Sequence, residues 1–228
     1  EREKRLQGIV FLGGRFDYTP ADLAMLNVPF VCCSYSNRYG TLIEGEYSSV
    51  SIADGDTAQQ AVEELYRHGH RRIAALISRP NDQSISQLRY EGYVQALESH
   101  GIPVDPELVI STGGFGAKDA YRAVQEKMAE NVDFTALFAI ADSMAIGAMR
   151  ALMDAGRRIP EDCSVIAIDG LELSAYIEPP LTTLCQPMEE MGRRSAEILL
   201  DMVRHKGSHA CELLPTTLRQ GRSVAAPR

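Results

Sequence analysis

The segment TALFAIADSMAIGAMRAL, residues 135–152, contains the pattern that decides the fold. Its apolar run ALFAI predicts a buried strand that ends just before Asp142, and residues 143–155 are then apolar almost all round. The next segment repeats this arrangement, because the apolar run VIAI (165–168) ends directly before Asp169. Continuous apolar runs that alternate with helices predict βαβ units and a parallel sheet covered on both faces.

The same alternation extends over the rest of the chain and predicts an α/β fold throughout. The other predicted strands are IVFL (9–12), FVCC (30–33), IAALI (73–77), LVI (108–110) and a last strand near Leu213–Leu218. The predicted helices are one that Thr19 caps and Pro20 begins, one from Asp56 to near Gly69, and the segments 86–99, 117–130, 143–155 and 188–203.

The composition favours a globular protein of one or two domains without an electrostatic footprint for nucleic acid or anionic membranes. The 228 residues carry a formal charge of −8, and their Lys and Arg side chains are scattered. No apolar run approaches the roughly 20 residues that span a bilayer. The five cysteines form no C-x-x-C pair, so we expect buried thiols in a reducing compartment.

The positions of the two aspartates indicate a ligand site, because ligands of open parallel sheets bind outside the carboxyl ends of the strands. Asp142 and Asp169 both follow strands there, and Arg89 near the start of its helix can complement them as a forked donor. The segments Gly13-Gly14-Arg15 and Ser78-Arg79 follow strands in the same way.

Helix capping is the competing interpretation of these carboxylates. Asp142 is equally well explained as the N-cap of the helix that follows it, whereas Asp169 precedes a weaker helix start and favours the site. One of Asp54 and Asp56 is expected to cap the helix that follows them.

Other chemistry finds little support in the sequence. Neither a dinucleotide-binding G-x-G-x-x-G motif nor a P-loop is present, so no cofactor is predicted. The pair His68 and His70 has no Cys or carboxylate at ligand spacing, which favours a solvated loop over a metal site. Asp142 and Asp169 can serve a glycosidase in principle, but nothing in the sequence opposes them across a substrate.

Six motifs in order resemble the lactose/galactose repressor (LacI/GalR) family of bacterial transcription regulators. They are GHRRIA (69–74), R-x-x-G-Y (89–93), AL…GI (96–102), TALFAIADSMAIGAMRAL (135–152), IPEDCSVIAIDG (159–170) and PPLTTLCQP (179–187). The resemblance covers residues 6 to about 223 and concerns the family's effector-binding core. It implies a periplasmic-binding-protein-like type I fold, in which two doubly wound parallel-sheet subdomains enclose a ligand cleft.

The resemblance also implies the division of the chain. Residues 1–78 and 186–210 are expected to form an N-terminal subdomain that lacks the family's first strand–helix–strand. Residues 79–185 and 211–228 are expected to form the C-terminal subdomain. The family's helix-turn-helix DNA-binding domain is expected to be absent from this chain.

Ligand-binding roles follow from the resemblance position by position. Arg89 is expected to contact the effector, Asp169 to accept hydrogen bonds from ligand hydroxyls, and Phe115 to place an aromatic ring against the ligand. Asp56 aligns with a cleft acid of some members. Asp142 matches the second residue of an Asn-Asp pair.

Two positions depart from the family pattern. Ala141 stands where the cleft-facing first residue of the Asn-Asp pair is usual, and Gly170 stands where a second aspartate is usual. Both departures remove a polar group, so the resemblance does not identify the effector.

The resemblance therefore implies the sensor core of a cytoplasmic repressor that responds to a sugar, polyol or nucleoside. Such a core forms a homodimer, does not bind a membrane, and reaches operator DNA through the N-terminal domain. The alternative is a periplasmic sugar-binding protein of a transporter, which shares the fold. GHRRIA, IPEDCSVIAIDG and the unpaired cysteines favour the regulator, and a glycosidase is the third hypothesis.

Overall fold

The helices and strands that the apolar runs predict occur in the expected order, with further strands between them. We analysed a computed structural model, which describes residues 6–13, 17–43, 45–205 and 207–228. The strands are β1 (Ile9–Leu12), β2 (Phe30–Cys33), β3 (Ser48–Ser51), β4 (Ile73–Ile77), β5 (Val109–Ser111), β6 (Ala136–Ala139), β7 (Ser164–Asp169), β8 (Thr182–Cys185), β9 (Cys211–Leu213) and β10 (Thr217–Arg219). The helices are α1 (Pro20–Leu23), α2 (Asp54–Arg67), α3 (Ile85–Ser99), α4 (Ala117–Ala129), α5 (Asp142–Asp154) and α6 (Met188–His205), with 3₁₀ turns at Pro106–Leu108 and Glu172–Ala175.

The first of two units draws its described residues from 1–53, 83–85 and 187–215. Its sheet has four parallel strands in the order β1-β2-β3-β9, and α6 packs against β1, β2 and β3. Aromatic side chains dominate its core, which is built from Phe30, Cys32, Tyr35, Leu42 and Tyr47. Thr19 forms the predicted cap of α1, because its side chain accepts a hydrogen bond from the backbone of Asp22.

The second unit comprises residues 54–82, 86–186 and 216–228. Its six-stranded sheet has the order β10-β8-β7-β6-β4-β5, and only β10 runs antiparallel to its neighbour. Every residue of β4 and β6 is buried, as expected for strands covered on both faces. Helix α2 packs on β6, β7 and β8, whereas α5 packs on β6 and β7 and pairs with α4.

The strand order of this second sheet reverses between β4 and β6. The chain passes from β4 outward to β5 and then returns to β6 on the other side of β4. In doubly wound sheets such a reversal opens a crevice at the carboxyl ends of the two strands, where ligands bind. Residues that follow β4, β6 and β7 therefore share the edge at which a site is expected.

The α/β fold class with parallel sheets is confirmed, but the unit boundaries differ from those expected. Residues 54–78 belong to the second unit, because α2 packs on its sheet and β4 pairs with β5 and β6. Residues 211–215 belong to the first unit, because β9 pairs with β3. The single strand predicted near Leu213–Leu218 is thus two strands in separate units.

Two strands have no apolar run and were missed. Ser48, Ser49 and Ser51 of β3 are buried, and so are the hydroxyl-bearing residues Thr182 and Thr183 of β8. The hydroxyls of Ser48, Thr182 and Thr183 form hydrogen bonds inside the protein, as Ser48 Oγ does with His209 Nδ1 at 3.2 Å. A search for apolar runs does not detect strands whose buried faces are built from bonded hydroxyls.

Two further expectations concern the burial of the cysteines and the absence of a membrane-spanning segment. Cys32, Cys33 and Cys163 are buried as predicted, whereas Cys211 is exposed, and all five cysteines are free thiols. Over the described part of the chain, no helix is both long enough and apolar enough to cross a membrane.

Candidate functional site

A buried arginine lies at the carboxyl edge of the six-stranded sheet. Arg89 in α3 is only 1% exposed. Its Nε donates to Asp54 Oδ1 at 2.9 Å, and its Nη1 donates to the carbonyl of Ile140 and to Asp169 Oδ1, the latter at 3.2 Å. Its Nη2 is buried and has no hydrogen-bond partner among the described residues. The guanidinium therefore retains a donor that the described chain leaves unsatisfied.

The motif R-x-x-G-Y explains how Arg89 reaches this position. One turn further along α3, Gly92 packs so closely against α2 that a Cβ there would overlap the carbonyl oxygen of Gly55. The Tyr93 hydroxyl donates to the carbonyl of Ile73 at 2.8 Å, which attaches α3 to the start of β4. The glycine and the tyrosine thus hold α3 at the distance from which Arg89 spans Asp54 and Asp169.

The charges of this cluster stabilise one another. Burial alone would lower the pKa of Arg89, but the carboxylates of Asp54 and Asp169 outweigh it and raise that pKa, so the guanidinium stays charged. Burial raises the pKa of Asp54, and the adjacent Arg89 opposes that shift. Hydrogen bonds must offset the desolvation of a buried ion pair, and here Asp54 and Arg89 bind each other while Arg89 Nη2 stays unsatisfied.

Asp169 presents one carboxylate oxygen that no described residue binds. It is the last residue of β7, and its φ of 138° lies in a region that side-chain-bearing residues rarely adopt. Its Oδ1 accepts from Arg89 and from Gln186 Nε2, the latter at 2.8 Å, and its side chain is 20% exposed. Arg89 Nη2 and Asp169 Oδ2 together supply a donor and an acceptor at one edge of the sheet.

Asp142 is a structural carboxylate. It is fully buried, and Ala141 occupies the N-cap position of α5, so the competing interpretation of Asp142 as the N-cap is wrong. Its Oδ2 accepts from the Leu171 amide at 2.8 Å and from Ser174 Oγ at 2.6 Å, while its Oδ1 accepts from Thr183 Oγ1. Burial raises the pKa of Asp142, and the hydroxyls oppose that shift.

This arrangement does not present Asp142 to a ligand. It also leaves the glycosidase hypothesis without its second carboxylate, since a general acid or base must reach the substrate.

The other expected site residues lie in different environments. Ala141 is 5% exposed, and its methyl group offers no polar contact. Phe115 is 40% exposed in the loop after β5, and its carbonyl accepts from Ser143 Oγ at 2.8 Å, which ties this loop to α5. Asp56 is exposed in the first turn of α2 and is not part of the Arg89 cluster. Asp54, the first residue of that helix, binds Arg89 instead.

Sequence reasoning missed Asp54 as the partner of Arg89 and missed Gln186 entirely. Gln186 directly follows β8, so the rule that located Asp169 also locates Gln186 once β8 is recognised as a strand.

Of the two other segments that follow strands, Ser78-Arg79 lies at the same edge of the sheet. Arg79 Nε donates to the carbonyl of Gly113 at 3.1 Å and joins two loops there. Of the segment Gly13-Gly14-Arg15, the last two residues lie outside the described ones.

The histidine pair does not form a solvated loop. His70 is buried, with its Nδ1 2.9 Å from Thr135 Oγ1 and its Nε2 2.8 Å from the carbonyl oxygen of Ala225. Within residues 6–13, 17–43, 45–205 and 207–228, no group of three potential metal ligands occurs.

The sequence matches a known family over most of its length. Residues 62–224 fit the model of the periplasmic binding protein-like domain. The chain belongs to this family. Its homologues are HTH-type regulators of the LacI family, which confirms the predicted resemblance.

Two similar regulators illustrate the relationship. The chain is 35% identical to the transcriptional regulator MalR of Clostridium butyricum over 218 residues, which are 95% of the chain and 64% of MalR. It is also 35% identical to the transcriptional repressor CytR of Escherichia coli K12 over 217 residues, 92% of the chain and 62% of CytR. The chain thus spans less than two thirds of each regulator.

Among solved structures, a complex of the regulator CelR with cellobiose superposes with a TM-score of 0.85 at 32% identity. The superposition covers 97% of this periplasmic binding protein-like chain and 67% of the CelR chain.

Proposed function

We propose that this chain is the effector-binding core of a bacterial transcriptional repressor of the LacI family. Its effector is a sugar, polyol or nucleoside that binds at the carboxyl edge of the six-stranded sheet. The observation that carries this proposal is Arg89 Nη2, a buried donor without a partner in the described chain. Leaving such a donor unsatisfied costs about 1–3 kcal/mol, so a ligand oxygen at this position is stabilising.

Asp169 complements this donor. A ligand hydroxyl can accept a hydrogen bond from Arg89 Nη2, and a neighbouring hydroxyl can donate to Asp169 Oδ2. Bonds to charged partners are roughly twice as strong as bonds between neutral groups, which favours polyhydroxyl ligands. The exposed ring of Phe115 offers an apolar face for a sugar ring or a base.

The names of the relatives favour a regulator over a periplasmic sugar-binding protein. MalR and CytR are transcriptional regulators, and CelR binds cellobiose in its solved complex. We extend these properties to this chain: it acts in the cytoplasm as a homodimer, and operator DNA is bound by an N-terminal domain outside residues 1–228. Effector binding then shifts the population of DNA-binding conformations.

Calorimetric titration and thermal shift test the effector site. The panel comprises cellobiose, ribose, glucose, glycerol, cytidine and adenosine, and a ligand that binds the native state raises the melting temperature. Arg89→Lys and Asp169→Asn are expected to weaken binding at least about tenfold. Arg150→Lys and Asp154→Asn are the controls, because these residues form an ion pair on the exposed side of α5.

Binding that survives both site variants would contradict the assignment. Absence of binding to every compound would contradict the effector class. Gel-shift assays of the whole regulator with and without the bound compound then test repression.

A further inference from the structure

The loop that follows Asp169 turns abruptly and is held from two sides. Asp169 and Gly170 have consecutive positive φ angles of 138° and 78°. A Cβ on Gly170 would stand 2.6 Å from the Cβ of Cys185, so residue 170 has no room for a side chain. For a residue with a side chain, a φ of this kind is a strained conformation that persists only where the surroundings impose it.

Asp142 holds the loop from the α5 side. Its Oδ2 accepts from the Leu171 amide and from Ser174 Oγ, and its Oδ1 accepts from Thr183 Oγ1 on β8. One buried carboxylate therefore joins the start of α5, the loop and the neighbouring strand.

Arg219 holds the loop from the side of β10. Its Nη2 donates to the carbonyl of Leu171 at 3.1 Å and to Ser174 Oγ, and its Nη1 donates to the carbonyl of Gly170 at 3.4 Å. The same Nη2 lies 3.9 Å from Asp142 Oδ2. The two side chains thus bind the same two loop residues, Leu171 and Ser174.

We propose that Asp142 and Arg219 are positioning residues for Asp169. They hold residues 170–174 in the conformation that imposes the positive φ on Asp169 and keeps its carboxylate on Arg89. This inference rests on the proposed function in one respect, namely that Asp169 contacts the effector. Asp142 thus acts by holding the loop and does not contact the ligand. Arg219 acts in the same way from β10, which lies outside the sequence motifs.

A double-mutant cycle separates positioning from a merely structural role. Arg219→Ala is expected to weaken binding of the compound identified above about tenfold in the wild-type background and less than about twofold in Asp169→Asn. The drop in melting temperature is expected to be equal in both backgrounds, because the loop is released in both. Equal losses of affinity in the two backgrounds would overturn the proposal.

Matched controls are close in sequence. Arg222→Ala removes an arginine three residues on that pairs with the exposed Glu178, and it is expected to leave the affinity unchanged. Asp142→Asn is expected to weaken binding, whereas Asp154→Asn at the other end of α5 is expected to leave the affinity unchanged.

A readout without ligand keeps this inference distinct from the effector assignment. In a crystal structure of Arg219→Ala, the φ of Asp169 is expected to relax and its separation from Arg89 Nη1 to exceed the present 3.2 Å. An unchanged φ and separation would overturn the positioning role even if an effector binds. If no effector binds but Asp169 relaxes, the effector class fails and the positioning role stands.

Discussion

Gly92 of α3 lies directly against the carbonyl oxygen of Gly55 in α2, and a Cβ at residue 92 would also stand 2.9 Å from the Cβ of Ala58. This contact sets the spacing of two helices whose residues Arg89 and Asp54 form a buried ion pair. A glycine without catalytic or ligand-binding atoms thereby determines the geometry of the candidate site.

Gly92→Ala is expected to lower the free energy of unfolding by about 2 kcal/mol, because the added methyl group forces the two helices apart. Gly192→Ala is the matched control, since Gly192 is exposed in α6 with open space around its Cβ position. There the exchange is expected to stabilise the helix by up to about 1 kcal/mol. Urea denaturation measures both, and effects of the same sign would contradict the packing argument.

Asp54→Asn removes one of the two carboxylates that bind the buried Arg89 and leaves Asp169 as its remaining charged partner. Breaking such a buried ion pair is expected to cost about 3 kcal/mol. Asp56→Asn, two residues along the same helix turn, is expected to change stability by less than about 0.5 kcal/mol, because Asp56 is exposed. Equal shifts of the urea midpoint in the two variants would show that the Asp54–Arg89 ion pair does not contribute to stability.

His70 is expected to make stability depend on pH in the acid range. Burial lowers its pKa from the ordinary value of 6.5, and the nearby His68 and Arg71 act in the same direction. Below pH 6.5 the unfolded chain therefore binds a proton that the native state resists, so stability falls as the pH decreases. Above that pH the contribution of His70 is constant.

Urea midpoints measured from pH 8 to pH 5 check this dependence. His70→Gln should flatten the decline, whereas His205→Gln should not, because His205 is exposed at the end of α6. An identical decline in His70→Gln and in the unchanged protein would assign the dependence to other groups.

Gly170→Ala tests whether contact with Cys185 excludes a side chain at position 170. Gly113 has the same φ of 78°, but nothing lies within 4 Å of its Cβ position. Gly113→Ala should cost about 1 kcal/mol from backbone strain alone. Gly170→Ala should cost about 3 kcal/mol, because overlap with Cys185 is added. Cys185→Ala should not rescue it, since the Cα of Cys185 also lies 2.8 Å from that position.

The local sequence predicts most of this fold because the signals are short-range. Runs such as IAALI and VIAI form strands that are buried on both faces, and the Thr19-Pro20 pair begins a helix as expected. A search for apolar runs does not detect the strands β3 and β8, because their buried residues include serine and threonine. Because β8 is not recognised, the sequence does not show that Gln186 follows a strand, and Gln186 is not predicted as a site residue.

The sequence by itself determined the alternation of strands and helices, the family, and the placement of Asp169 and Arg89 near one edge of a sheet. Only the tertiary structure decided that Arg89 pairs with Asp54 instead of Asp56, and that Asp142 is enclosed by Ser174, Thr183 and Leu171. The physical reason is distance along the chain. Periodicity records which side of an element is buried, whereas the partners of the buried charges Arg89 and Asp142 come from elements 29 to 80 residues away. That choice depends on how closely helices such as α2 and α3 pack.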